Sequence, residues 1–231
     1  MNPETVFTQA GGTFCIPYAD FQSRLSRIKA FIFDWDGVFN DGGKDHQGSS
    51  NFSEVDSMGT NLLRFSRWLL KKELPFCAVM SGEKNQLSFQ YTQREHFHEG
   101  YLKILHKTIA LDHFLAAHSL EASEVAFVFD DVLDLSLAAR AGLRIMVGRK
   151  ANPLFRQYVV ERDLADYITA NDQYAVREAC ELMIGAAGNF EEVVGGRAAF
   201  SAEYKEYLQE RQQVRTGYFT LEKEEIVKVE M

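Results

Sequence analysis

The stretch FDWDGVFNDG at residues 33–42 sets two aspartates either side of a tryptophan, follows them with a glycine, and adds a third aspartate further on. The run before it, AFIF at 30–33, is uniformly apolar, so Asp34 stands where a buried strand ends and Asp36 just beyond. Side chains two positions apart on an extended chain share a side, roughly 6–7 Å from one another. Four further short apolar runs follow: FCAVM (76–80), VAFVF (125–129), LRIMV (143–147) and DYITA (166–170). Each is rich in β-branched or aromatic residues and bounded by charge, Gly or Pro, the signature of a buried strand. Between them, 58–72, 104–118, 133–141, 152–163 and 174–186 carry helical spacing. The alternation predicts an α/β fold, a three-layer Rossmann-like parallel sheet with helices on both faces. Ligands of such sheets bind beyond the carboxyl ends of the strands.

Directly after this strand end, 38–56 is too polar for a core helix and has glycines at 42, 43 and 48. It predicts a β-hairpin projecting after strand one. Residues 1–29 read as an N-terminal extension, in which Asp20 caps a short helix, FQSRLSRI, leading into the first strand. Residues 30–187 form the core. Residues 188–231 read as a C-terminal helical tail with one polar helix at 201–214 and a charged end.

Composition narrows the function. The chain has 231 residues, 46% hydrophobic and 25% charged, with a formal net charge of −8, which argues against nucleic acid or an anionic membrane as partner. Its three cysteines are scattered without zinc spacing. Cys77 and Cys180 sit in apolar runs as buried thiols, which fits a reducing cytoplasm. No signal peptide is expected at the N-terminus, and no apolar run reaches the length of a membrane span.

A second acidic cluster, VFDDVLD at 128–134, also follows an apolar run and brings Asp130, Asp131 and Asp134 to a strand end. Acids converging on one sheet edge are stable only with a cation or with raised pKa values. All-oxygen ligands suit a hard cation, and Mg²⁺ foremost. Ser81 and Gly82 follow the FCAVM strand, and Lys107 opens a helix, with Lys103 one turn before it. Taken singly, a serine after a strand is usually a helix cap and a helix lysine is usually solvated. Their order along the chain gives them a functional reading.

FDWDGV, a strand ending in SG, a helix lysine and a strand ending in DDxxD together resemble the haloacid dehalogenase superfamily. The likeness is nearest the 3-deoxy-octulosonate 8-phosphate phosphatases and their nonulosonate 9-phosphate relatives. It is carried by DGVFNDG, VDSMG, SGEK, HKTIALDHFLAAHSLEASEVAFVFDD, RAGL and AVREACELM, over about 30–186. The resemblance implies a Mg²⁺-dependent phosphomonoesterase acting on a small phosphorylated sugar or sugar acid. Asp34 would be the nucleophile and Asp36 the acid and base. Mg²⁺ would be held by the Asp34 carboxylate, the Asp36 backbone carbonyl and Asp130, with Asp131 or Asp134 orienting them or adding a ligand. Ser81, Gly82 and Lys107 would bind phosphoryl oxygens.

Neither the segment between Asp36 and Ser81 nor that between Ser81 and Lys107 has room for a large cap domain; the second holds one helix and a short strand. The resemblance therefore implies a homotetramer in which paired hairpins wall the sites, here with Phe39 and Phe52 as anchors. The sequence departs from the branch at Phe129, where a glycine is usual, at VDSMG in place of RDGxG, and at NDQY (171–174) in place of a basic glycine-rich segment. Two other readings stand beside the enzyme: a phospho-accepting receiver-like switch, and a catalytically weak binding or assembly protein on the same fold.

Overall fold

In a computed structural model, which describes residues 2–230, the AFIF run is a strand buried along its whole length. The strands in chain order are β1 (Thr13–Phe14), β2 (Ala30–Phe33), β3 (Phe76–Met80), β4 (Glu99–Leu102), β5 (Val125–Phe129), β6 (Leu143–Met146), β7 (Tyr167–Ile168), β8 (Gly217–Glu222) and β9 (Glu225–Lys228). The helices are α1 (Pro3–Gln9), α2 (Tyr18–Arg27), α3 (Glu54–Lys71), α4 (Gln86–Arg94), α5 (Lys107–His118), α6 (Leu135–Ala138), α7 (Pro153–Glu161), α8 (Ala175–Ala187), α9 (Phe190–Ala198) and α10 (Ala202–Gln213). All strands join one sheet in the order β1-β7-β6-β5-β2-β3-β4-β8-β9. From β7 to β8 every pairing is parallel. The two outermost strands, β1 and β9, are antiparallel, so the sheet is mixed rather than purely parallel.

Side-chain alternation divides the core into two layers. Phe31, Phe33, Val79 and Val128 face Leu62, Phe65, Cys180 and Met183 of α3 and α8. Ala30, Ile32, Ala78 and Phe127 face Leu111, Phe114, Leu137 and Val159 of α5, α6 and α7. Continuous apolar strands are what a parallel sheet covered on both faces demands. α3 starts where Ser53 accepts the Asp56 amide at 3.1 Å and ends at Lys72 in a left-handed conformation. Gly59 lets α3 meet α8 closely, since a Cβ there would lie 3.0 Å from Arg177 Cα.

The hairpin expected at 38–56 is absent. Among the described residues, 37–53 form no strand, and Glu54–Asp56 belong to α3. The cause lies in the Asn and Asp side chains. Asn40 Oδ1 accepts the Gly37 and Gly42 amides at 3.2 and 2.9 Å, and Asp45 Oδ1 those of Gln47 and Ser49 at 2.8 and 2.9 Å. Local side-chain acceptors thus take the donors a ladder needs. Phe39 and Phe52 pack within the chain, their ring centroids 4.8 and 5.0 Å from that of Tyr91, rather than standing on a projecting hairpin.

The charged C-terminal end is also not helical. β8 adds in parallel to β4 and turns back through Lys223 and Glu224, both with positive φ, into β9. Tyr218 stacks on Phe89 at 3.8 Å. α10 packs on α3, where the Tyr204 hydroxyl donates to Asn61 Oδ1 at 3.0 Å. Only the loop and α3 lie between β2 and β3, and only α4 between β3 and β4, so no inserted domain covers the carboxyl end of the sheet. No helix among the described residues is long and apolar enough to cross a membrane.

Candidate active site

β2 and β5 are neighbours in register, with Phe33 opposite Val128, so the residues just past each strand must meet. Asp34 holds the register one step further, its amide donating to Val128 O at 3.0 Å. Asp34, Asp130 and Asp134 each offer a carboxylate oxygen within 4.8 Å of the others, and all three are buried. A Cβ at Gly37, whose φ is +87°, would fall on the Asp130 carboxylate; the glycine is what allows the two acidic loops to close on one another.

Lys107, 3% exposed, arrives at the start of α5 and donates from Nζ to both Asp34 Oδ1 and Asp134 Oδ1. The other oxygen of Asp134 accepts the amides of Asp130 and Asp131, each at 3.3 Å. Arg149, from the loop after β6, donates to Asp130 Oδ2 and to the Gly37 carbonyl. Three buried carboxylates thus face one ammonium and one guanidinium. Burial, with Asp134 adding to it, pushes the Asp34 carboxyl well above its usual range despite Lys107. Burial likewise raises Asp130 to about 6 against the opposing bond from Arg149. For Lys107 burial works against the charge, but Asp34 and Asp134 outweigh it and hold the ammonium protonated. A buried acid set one positive charge short, made only of oxygen donors, fits a hard divalent cation such as Mg²⁺.

The other sequence-derived residues are distributed around this centre. Asp36 is half-buried and accepts from Lys44 Nζ and Ser50 Oγ; its carboxylate is not one of the clustered three. Ser50 is itself held by Asn85 Nδ2 at 3.0 Å. Ser81 is fully buried at the end of β3, its hydroxyl accepting the Glu83 amide at 3.2 Å. Gly82 has no positive φ, and a Cβ there would make ordinary contacts. Asp131 is exposed and caps Val132, accepting its amide at 2.7 Å. Lys103 is exposed. Phe129 is fully buried, stacked on Phe127 at 5.6 Å within the core, and displaces none of the acids. Arg149, Lys44, Ser50 and Asn85 were not anticipated. For Arg149 a signal exists: GRK directly follows the LRIMV strand, next to β5, and so must sit on the same sheet edge.

Three acids at adjoining strand ends of a doubly covered parallel sheet, with a lysine from the following helix across them, define a haloacid dehalogenase-type phosphohydrolase site. The chain is similar to members of that superfamily. Within it the chain is similar to the 3-deoxy-D-manno-octulosonate 8-phosphate phosphatase of Escherichia coli (strain K12), 28% identical over 198 residues that cover 81% of this chain and 98% of that protein. The solved structure of the Moraxella catarrhalis phosphatase of the same name, in complex with magnesium ion, phosphate ion and KDO, matches with 25% identity and a TM-score of 0.63 over 79% of this chain and 98% of that one. The Yersinia pestis phosphatase matches with 26% identity and a TM-score of 0.59 over 74% and 89%. No family model matches the chain.

Proposed function

We propose that this protein is a Mg²⁺-dependent phosphomonoesterase that hydrolyses a small phosphorylated sugar or sugar acid through an aspartyl-phosphate. The observation that carries the reading is the convergence of Asp34, Asp130 and Asp134 under the Lys107 ammonium. In the first step an Asp34 oxygen attacks phosphorus, the bond to the leaving oxygen breaks, and Asp36 gives that oxygen its proton. In the second step Asp36, now a carboxylate, takes a proton from water as the water attacks phosphorus. The phosphorus–Asp34 bond then breaks, releasing inorganic phosphate and restoring both acids. Asp34, the Asp36 carbonyl and Asp130, with Asp134 beside them, would hold Mg²⁺, which would supply charge neutralisation for the phosphoryl group. Lys107 and the Ser81–Gly82 turn bind phosphoryl oxygens, while Asp131 steadies its own loop.

The catalytic unit in this reading is 30–187. Residues 1–29 extend the sheet edge, and the segment from 188 onward backs α3 and covers β4. Assembly belongs to the proposal. Leu105, Val132, Leu133 and Leu154, all on loops or helix starts at the carboxyl edge, are 59%, 61%, 61% and 80% exposed. A second copy seated on this rim would shield an otherwise open site from water, which supports a homo-oligomer, with a tetramer favoured, in place of hairpin pairing. The free cysteines support a cytoplasmic location.

The test is a Mg²⁺-supplemented screen over sugar-acid, sugar and nucleotide phosphates, run beside an aryl phosphate. Turnover that disappears in folded Asp34→Asn and on chelation of the metal is the expected outcome. Stable phosphorylation without turnover would instead identify a switch, and neither would identify a binding protein. Light scattering that finds an active monomer of 26.3 kDa would remove the assembly.

A further inference from the structure

At the opposite end of the strands from the acids lies a cavity of about 670 Å³, within the size range of small-molecule sites. It opens where β2, β3 and β5 begin, and Arg27, Lys29, Arg67 and Lys71 line it together with Glu73, Glu121 and Glu124. Two of these carboxylates are already engaged: Glu124 pairs with Lys29 at 2.6 Å and accepts the Glu121 amide at 3.0 Å, while Glu121 caps the turn that follows it. Arg27 and Lys71 sit in the last turns of α2 and α3, where cations ordinarily complement the helix dipole.

Arg67 goes beyond that role. It is 4% exposed, yet its guanidinium makes one hydrogen bond, from Nη2 to the Ile28 carbonyl at 2.7 Å. Among the described residues no carboxylate lies within ion-pair distance of it. Burial alone lowers its pKa, with no anion to offset the effect. A buried cation of this kind is costly unless an anion completes it, and its remaining N–H groups have the fork geometry that matches phosphate oxygens.

We infer that this cavity binds a phosphorylated small metabolite at a site separate from the catalytic one. Arg67, Lys71 and Arg27 receive the phosphate, and Leu74, Pro75 and Phe76 supply an apolar wall for the carbon body. The placement at the far end of β2 and β3, the strands that lead to Asp34 and Ser81, makes it a remote site rather than a subsite of the chemistry.

Equilibrium dialysis with radiolabelled orthophosphate tests this on the full chain, comparing wild type with Arg27→Ala/Lys71→Ala and with Arg67→Met. Both replaced residues of the double variant are exposed, so it is expected to fold even where Arg67→Met does not. Bound phosphate is expected to fall by one per chain in the double variant. The readout is a difference between proteins, so it stands apart from whether phosphate also binds at the acidic edge. Superimposable isotherms for wild type and the double variant would overturn the site. Displacement of that phosphate by an equal concentration of malonate would overturn its assignment to phosphate.

Discussion

Arg149 and Lys107 reach the same carboxylate cluster from a loop and a helix start, Arg149 at Asp130 and Lys107 at Asp34 and Asp134, and they differ in what a metal would require of them. Lys107 bridges Asp34 and Asp134 without touching Asp130, so it can stay beside a cation there. Arg149 occupies Asp130 Oδ2 and competes with a cation for the charge of that carboxylate. Arg149→Ala is therefore expected to tighten Mg²⁺ binding about tenfold, or about 1.4 kcal/mol, while lowering the melting temperature of the metal-free protein. Titration calorimetry giving the same affinity in both proteins would rule this competition out. Asp56 is another buried acid, but its role is structural, since its Oδ1 accepts the Arg177 amide at 2.9 Å at the start of α8. Burial raises its carboxyl to about 6 despite that bond. A folded-state pKa above the ordinary 3.8 means the charged form is disfavoured in the folded chain. The group contributes nothing below about pH 4 and an increasing penalty up to about pH 6, near 3 kcal/mol in full. Relative to wild type, Asp56→Asn is expected to gain stability by that order between pH 4 and 6, as urea denaturation at several pH values would reveal; parallel curves would refute it. Asp34, Asp130 and Lys107 were legible in the sequence because strand ends and a helix start fix their edge of the sheet. Lys44, Ser50 and Asn85 were not, because their approach to Asp36 depends on how an irregular loop folds back.

The elements divide in the same physical way. Strands such as VAFVF are apolar on both faces, and only a covered sheet can use them, so the central strands read directly from the sequence. The β8–β9 hairpin carries an exposed outer side, its charges keep an edge strand from pairing with other chains, and its turn uses Lys223 and Glu224 rather than the usual glycine or asparagine. In LEKEEIVKVE the β-branched Ile226, Val227 and Val229 favour a strand, but the charged residues around them hide that signal until β8 supplies a partner. The loop at 37–53 misleads in the opposite sense, because its glycines suit a turn while its Asn and Asp side chains satisfy the backbone without one. The hairpin nevertheless matters for the core. Tyr218 is 7% exposed and stacked on Phe89, and β8 closes the edge of β4, the strand that leads to Lys107. Tyr218→Ala is expected to cost about 3 kcal/mol, measured by chemical denaturation. A change below about 0.5 kcal/mol would mean that the hairpin rests on the sheet without supporting it.

Taken end to end, one sheet carries at its carboxyl edge an acid cluster that Lys107 and Arg149 only partly neutralise, and a cavity lined by basic side chains at the other. For the acid edge this makes metal binding part of folding stability, because the unfolded chain holds no such arrangement. At a Mg²⁺ concentration about a hundredfold above the dissociation constant the gain is about 2.7 kcal/mol. For a chain of this size that corresponds to roughly 5–11 °C in melting temperature. Protons compete at the same oxygens: with Asp130 raised to about 6, the Mg²⁺-dependent shift should be full near neutral pH and shrink as the pH falls through 6. Asp130→Asn removes one of the buried charges and the ligand together. It should therefore melt higher than wild type without metal, or near it, and respond to Mg²⁺ weakly at every pH. Calorimetric scans of the two proteins with and without Mg²⁺, at about pH 7.5 and about pH 5, on either side of the Asp130 titration, separate these effects. A wild-type shift that is equal at both pH values, or an Asp130→Asn shift as large as wild type, would mean that the clustered carboxylates are not where the metal binds.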